Sequence, residues 1–294
     1  MALAALSGDE QRIIFSQLCN VLDTRVAVAF SSTSSELRAL TQAQRQQLRA
    51  DHNVAAELCR KMGMRSCKEL RKARLVICSR YGYGLGLSAA DLGTLGTLGS
   101  VLPALEDLRL IEPAAGPDSV QRLAEGLVAG ALPSVVQISL ISFHAGDAGA
   151  SALAAALGRG ALPRLKSLRL TWTAIGDAGL VALAPALRRR PALEMLTLTG
   201  NPFGDKGLAA LVAPPQPAAG ALPPTGVLGK LMMLVLDNTQ VSDAGCAALA
   251  FALNSGALPV LGHLHLKGIP ASASLTAQAM AAVAMARHNL TYHV

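Results

Sequence analysis

Residues 165–187 read LKSLRLTWTAIGDAGLVALAPAL, and the stretch changes its period halfway along. The first half, Leu165-x-x-Leu168-x-Leu170, ends in apolar alternation, the two-residue period of a short strand. The second half places Leu180, Leu183, Ala184 and Leu187 at i, i+3, i+4 and i+7, one face of an α-helix. Gly176-Asp177-Ala178-Gly179 stands between them. Glycine gives the turn a permissive backbone, and Asp177 reads as the N-cap of the helix that follows. One strand and one helix of this size cannot bury their apolar sides alone, so the unit needs neighbours of its own kind.

The neighbours are present. Apolar pairs with one residue between them fall at Leu108/Leu110, Ile138/Leu140, Leu168/Leu170, Leu196/Leu198, Leu234/Leu236 and Leu264/Leu266, in steps of 30, 30, 28, 38 and 30 residues. Leu105, Val135, Leu165, Leu193, Leu231 and Leu261 stand three before each pair. Six after each pair come Gly116, Gly146, Gly176, Gly204, Ser242 and Ser272. Asp147, Asp205 and Asp243 repeat the N-cap reading of Asp177. Gly-Ala-Leu-Pro closes units at 130–133, 160–163 and 256–259, since glycine is favoured just past a helix and proline cannot continue one. The long step carries PPQPAAGALPPTG (214–226), a proline-rich surface insert.

Six copies in register of L-x-x-L-x-L, loop and helix, four of them with Gly/Ser-Asp-x-Gly at the turn, resemble the leucine-rich repeat, in its long ribonuclease-inhibitor-like form. The resemblance covers the chain from Val101 to Val294. It implies an α/β solenoid shaped as a horseshoe, with parallel strands on the concave side and helices outside. The family's Asn in L-x-x-L-x-L-x-x-N occurs here only as Asn201; the other copies have Pro113, Phe143, Thr173, Thr239 and Ile269. Thr can replace part of an Asn ladder, whereas looser turns are expected at Pro, Phe and Ile.

Residues 1–73 lack the repeat. They read as helices over 9–20 and 24–40, with one or two more through 73, and as an all-α N-terminal cap over the solenoid's first core layer. The wording LSGDEQRIIFSQLCNVLDTRVAVAFSSTSSELRAL, with Leu6, Asp9, Glu10, Ile14, Leu18, Leu22-Asp23, Val26, Val28 and Leu37, resembles an F-box. Ser7 stands where that family has Pro, and Glu36-Leu37 where it has Trp. The resemblance implies docking on a ubiquitin-ligase adaptor subunit. Residues 74–100 read as a connecting segment or a degenerate first repeat.

Composition narrows the function classes. Hydrophobic residues make up 51% of the chain but aromatics only 3%, so the core is built from Leu, Ala and Val. Five cysteines with no Cys-x-x-Cys pair are read as free thiols of a reducing compartment. With no basic signal-like N-terminus and no long apolar span, the expected location is cytoplasmic or nuclear, without membrane insertion. The net charge of +7 is concentrated at 60–74, which holds seven Lys/Arg against one Glu. As a helix after Gly63, Arg65, Lys68 and Lys72 form a stripe that Lys61 continues. No aromatic interleaves before Tyr81 and Tyr83, so a solvated face is expected rather than a nucleic-acid site. GYGLG (82–86) lacks the spacing of a phosphate loop and reads as a flexible joint. His263 and His265 share a face but Lys267 beside them disfavours a cation. No cofactor is expected, and no nucleophile and base are paired locally, so no enzyme is expected.

The outward strand positions carry the functional reading. Arg109, Arg169, Met195, Met233, Asp237, His263, His265 and Lys267 point from successive strands, and Trp172 follows the third. Trp and Arg are enriched where binding energy concentrates. The expectation is a non-catalytic module that recognises a protein partner on its concave face. Two alternatives are a substrate receptor of a cullin-type ubiquitin ligase, through the F-box-like N-terminus, and a regulator of a GTPase or a signalling scaffold.

Overall fold

The structure, a computed structural model, describes residues 6–79, 86–111, 118–212 and 228–291. Tyr81, Tyr83, most of GYGLG, Pro113, Gly116 and the 214–226 insert lie outside these residues. Five helices come first: α1 (Gly8–Leu18), α2 (Arg25–Ser31), α3 (Ser35–Leu40), α4 (Gln42–Lys61) and α5 (Cys67–Lys72). Strands and helices then alternate: β1 (Leu75–Ser79), α6 (Ala89–Thr97), β2 (Asp107–Ile111), α7 (Ser119–Gly126), β3 (Gln137–Ile141), α8 (Gly146–Gly158), β4 (Ser167–Thr171), α9 (Asp177–Arg188), β5 (Met195–Thr197), α10 (Asp205–Val212), β6 (Met233–Val235), α11 (Asp243–Asn254), β7 (His263–His265) and α12 (Ala273–Thr291). The seven strands form one parallel sheet in chain order. This is an α/β leucine-rich-repeat solenoid.

Register follows from the alternation. Val76, Leu108, Ile138, Leu168, Leu196, Leu234 and Leu264 face one another in a single buried row. A one-residue slip would turn that row to solvent. The helices add their own buried stripe, such as Leu180, Leu183, Ala184 and Leu187 of α9, to one continuous core. β1 supplies the first member of the row with Val76 and Cys78 in place of a leucine pair, so residues 74–100 contain both a strand and a helix of the solenoid pattern.

The aspartates of the Gly-Asp-x-Gly turns do not cap their own helices, contrary to the sequence expectation. Each is one repeat out of phase. Asp147 Oδ1 accepts hydrogen bonds from Gly176 N at 2.7 Å and Gly179 N at 2.9 Å, at the start of α9. Asp177 Oδ1 accepts from Gly204 N and Gly207 N, both at 2.8 Å, at the start of α10. Asp205 takes Ser242 N at 2.8 Å, and Asp243 takes Ser272 N at 2.5 Å. The Asp lies in the first turn of its own helix, where its side chain projects sideways to the next turn instead of back along its own axis. The second glycine of the motif permits this approach: a Cβ at Gly179 would sit 2.5 Å from Asp147 Oδ1, and one at Gly245 would sit 2.4 Å from Asp205 Oδ1.

Arginines do the converse at the other helix ends. Arg159 donates to Ala124 O and Leu127 O at the end of α7. Arg190 donates to Leu157 O, Ala161 O and Leu162 O at the end of α8. Carboxylates at N-termini and guanidiniums at C-termini both match the helix dipole. Burial pushes Arg190 below its ordinary pKa.

Asn201 is fully enclosed and holds the turn below β4 and β5. Its Oδ1 accepts from Thr173 N, Thr173 Oγ1 and Ile175 N, and its Nδ2 donates to Leu170 O and Leu198 O. Thr239 supplies only one such bond, from Oγ1 to Leu236 O at 2.8 Å. At Phe143 the position is filled by a buried ring instead of a polar ladder.

The N-terminal helices divide in their packing. Phe15 of α1, Ala27 of α2 and Leu48 of α4 form a small core of their own. Ala55, Leu58 and Cys59 of α4, with Cys67 and Leu70 of α5, belong to the same core as the solenoid. The helix expected over 24–40 is two helices, because Ser32, Thr33 and Ser34 interrupt it and Ser34 caps α3 by accepting from Leu37 N at 3.0 Å. Ser7 and Glu10 make a capping box at the start of α1. All five cysteines are free thiols.

Candidate protein-binding face

The outward strand positions form rows across the sheet. One runs Ile77, Arg109, Ser139, Arg169, Thr197, Val235, His265, and the next Leu75, Asp107, Gln137, Ser167, Met195, Met233, His263. Leu75 and Ile77 are exposed apolar residues on β1 that the sequence reading missed. Val76-x-Cys78 in the register of Leu-x-Leu was the available signal.

Polar partners within the face constrain several of the expected contact residues. Arg109 donates through Nε and Nη2 to Asp107 Oδ2, at 3.0 and 2.6 Å, and that carboxylate holds Arg109 above its ordinary pKa. Among the described residues Arg169 Nη2 meets only the thioether of Met195, at 3.5 Å. A thioether is a weak acceptor, so the Arg169 guanidinium keeps most of its hydrogen-bonding capacity. Asp237 is engaged in the fold: its Oδ1 accepts from Lys267 N at 2.7 Å. Met195 and Met233 are half-buried side by side, while His263, His265 and Lys267 are exposed at the far edge. Ser139 points outward yet is buried; it lies between the longer Arg109 and Arg169. Ser139 Oγ, Ser167 Oγ and Asp107 Oδ1 are buried without a hydrogen-bond partner among the described residues.

Trp172 stands out in this setting. It follows β4 at a turn position that takes positive φ in five copies among the described residues: Ser142 at 60°, Trp172 at 55°, Gly200 at 71°, Asn238 at 55° and Gly268 at 69°. Glycine and asparagine suit that conformation. A bulky aromatic there is strained by about 1–2 kcal/mol. Its ring lies on the backbone of Gly200, where a Cβ would fall 2.3 Å from Trp172 Cδ2. The side chain nevertheless remains 54% exposed. The fold neither requires a Trp here nor buries it.

A second concavity of about 820 Å³ opens between the N-terminal helices and the first turn of the solenoid. Leu22, Ala56, Cys67, Pro103 and Ala104 contribute its apolar lining, Arg25, Lys68, Arg71 and Lys72 its cationic groups, and His52 an imidazole. Asp23 lies among them, paired with Arg25 at 2.7 Å and Arg71 at 3.3 Å; the hydrogen bond from Arg25 is the main reason its pKa falls to about 2. The stripe expected from Lys61 to Lys72 is not continuous. Lys61 ends α4 and pairs with Asp91 of α6 at 2.8 Å, and Arg65 lies between helices.

No group of three or more His, Cys, Asp or Glu among the described residues is placed to hold a metal ion. No described helix is long and apolar enough to cross a membrane.

Comparison with known proteins agrees with the repeat reading at the level of sequence. The family described as Leucine Rich repeat matches residues 162–184 and 193–212. No match to a curated protein was found. Among solved structures, actin-binding site 2 of leiomodin-1 is similar at 13% identity and TM-score 0.42, over 69% of this chain and 91% of that one. An internalin from Listeria monocytogenes is similar at 16% identity and TM-score 0.34, over 68% of this chain and 58% of that one.

Proposed function

We propose that this protein is a non-catalytic recognition module that binds a protein partner on the concave face of its solenoid, with Trp172 at the centre of the contact. The observation that carries the reading is a strained, half-exposed Trp at a turn position that neighbouring copies fill with Gly, Asn or Ser. Strain of this kind persists at functional sites. Arg169, Met195 and Met233 lie beside it, while Arg109, His263, His265 and Lys267 extend the face to either side, and Asp237 contributes by holding the edge. A preformed face of this kind binds at low ordering cost.

The test is capture of a partner by the full chain, by Trp172→Ala and by Arg169→Ala. Loss of the same captured protein from both variants, at unchanged melting temperature, supports the reading. Undiminished capture by both places the contact elsewhere.

A second reading rests on α1 and α2, where Ile13 and Val26 are exposed apolar residues beside a small separate core. There the chain would act as a substrate receptor, docking on an adaptor subunit of a cullin-type ubiquitin ligase and presenting targets held on the concave face. Recovery of that adaptor by the full chain and not by residues 74–294 supports it. Regulation of a GTPase, or service as a signalling scaffold, would use the same concave face, and the identity of the captured partner separates these roles.

A further inference from the structure

We infer that the cleft between the N-terminal helices and the first turn of the solenoid is a second binding site, for an acidic peptide segment of a partner protein that carries an apolar anchor residue. Four Arg/Lys side chains line the cleft against the single carboxylate of Asp23. Two of the four, Arg25 and Arg71, already share that carboxylate. Lys68 and Lys72 are exposed on α5 and make no ion pair among the described residues, so the cleft presents uncompensated positive charge. His52 Nδ1 donates to Val21 O at 2.6 Å, which fixes its ring at the wall.

The floor decides between anionic ligands. It is formed by aliphatic carbons of Leu22, Pro103 and Ala104 and by the Cys67 side chain, with no Phe, Tyr or Trp ring among the lining residues and the one imidazole, His52, held at the wall. A single-stranded nucleic acid needs ring faces on which its bases stack. A lipid surface needs a basic face that can lie flat against it, whereas this charge surrounds a recess. An extended peptide places carboxylates against Lys68 and Lys72 while one apolar side chain enters the recess. The described segments of this chain do not occupy the cleft, and the sequences at 1–5, 80–85, 112–117, 213–227 and 292–294 hold a single carboxylate, Glu112, too few for an acidic segment, which points to a partner rather than to these segments.

Fluorescence anisotropy with the full chain tests this. The probe is a short labelled peptide rich in Asp and Glu with one central Leu. Micromolar binding that weakens as salt rises is expected. Lys68→Glu with Lys72→Glu should weaken it roughly tenfold to a hundredfold, since attraction is lost and repulsion gained at two exposed positions. Lys68→Gln with Lys72→Gln should fall between and serves if the charge reversal disturbs α5. Replacing the peptide's Leu by Ala should also weaken binding, and Trp172→Ala in the protein should leave it unchanged, which separates this site from the concave face. Equal affinity in both Lys variants overturns the proposal. So does tighter binding to a single-stranded oligonucleotide of equal charge, or to phosphatidylserine vesicles.

Discussion

Replacing Asp177 by Ala removes two hydrogen bonds from a helix to which Asp177 does not belong. Both bonds are donated to Oδ1 by N–H groups at the start of α10, those of Gly204 and Gly207, at 2.8 Å. Loss of one helix cap costs about 0.5–2 kcal/mol, and a bond to a charged acceptor contributes about 1.5–3 kcal/mol where water cannot replace it. Gly204 is half-exposed and regains a water; Gly207 is buried and does not. The expected loss is therefore about 2 kcal/mol. For a chain of this size that lowers the melting temperature by roughly 4 °C. Asp177→Asn keeps an acceptor and should lose about half as much. Circular dichroism melting gives the magnitude, and amide hydrogen exchange gives the location. Protection should fall at Gly207, in the next repeat, with Gly179 and Leu180 of α9 unchanged. Faster exchange at the start of α9, or a melting temperature within about a degree of the parent, would refute the idea that each Asp caps its neighbour.

Three further outcomes follow from the same packing. Gly→Ala inside a helix ordinarily stabilises by about 0.5–1 kcal/mol; Gly158→Ala, with nothing within 4 Å of its added methyl, should raise the melting temperature. Gly179→Ala should lower it by the equivalent of about 1–3 kcal/mol, because its methyl falls 2.9 Å from Asp147 Cα as well as on the carboxylate; equal signs for the two would contradict the close-approach role. Asp91 has its pKa lowered: partial burial raises it, but the Lys61 ammonium and the Ser88 hydrogen bonds outweigh that. The Lys61–Asp91 pair is therefore stabilising above the ordinary carboxylate value of 3.8 and is lost as pH falls through the lower folded value. In denaturant titrations Asp91→Asn should be less stable than the parent near neutrality and approach it below about pH 4; a gap that stays constant down to pH 3 would contradict this. Residues 74–294 alone should melt well below the full chain, since Leu58 and Leu70 each cover core surface worth about 1.5–3 kcal/mol; an unchanged melting temperature would show that the N-terminal helices do not act as a cap.

The repeat was legible because strand and helix periods are local. Leu168 and Leu170 alternate, Leu180 to Leu187 follow a helical face, and stacking requires each copy to match the next, so the parallel order and the buried row followed from the spacing. The positive-φ glycines at 130, 160 and 256 were likewise marked by Gly-Ala-Leu-Pro. What the linear pattern could not assign was the partner of a polar side chain. Asp147 reads as the cap of the helix it opens, yet its nearest unsatisfied N–H groups lie 29 and 32 residues later. Lys61 reads as part of a basic stripe, yet pairs with Asp91, 30 residues on. Ser139 shares its outward direction with Arg109 and Arg169, and only the lateral packing of three strands buries it. Trp172 could be noticed in the sequence, but its left-handed backbone and its seat on Gly200 belong to the assembled turn. Apolar periodicity determines which faces are buried because burial needs no particular partner. Hydrogen bonds and ion pairs need one atom at one distance, and in a solenoid that atom usually belongs to the adjacent repeat, so only the tertiary structure decides it.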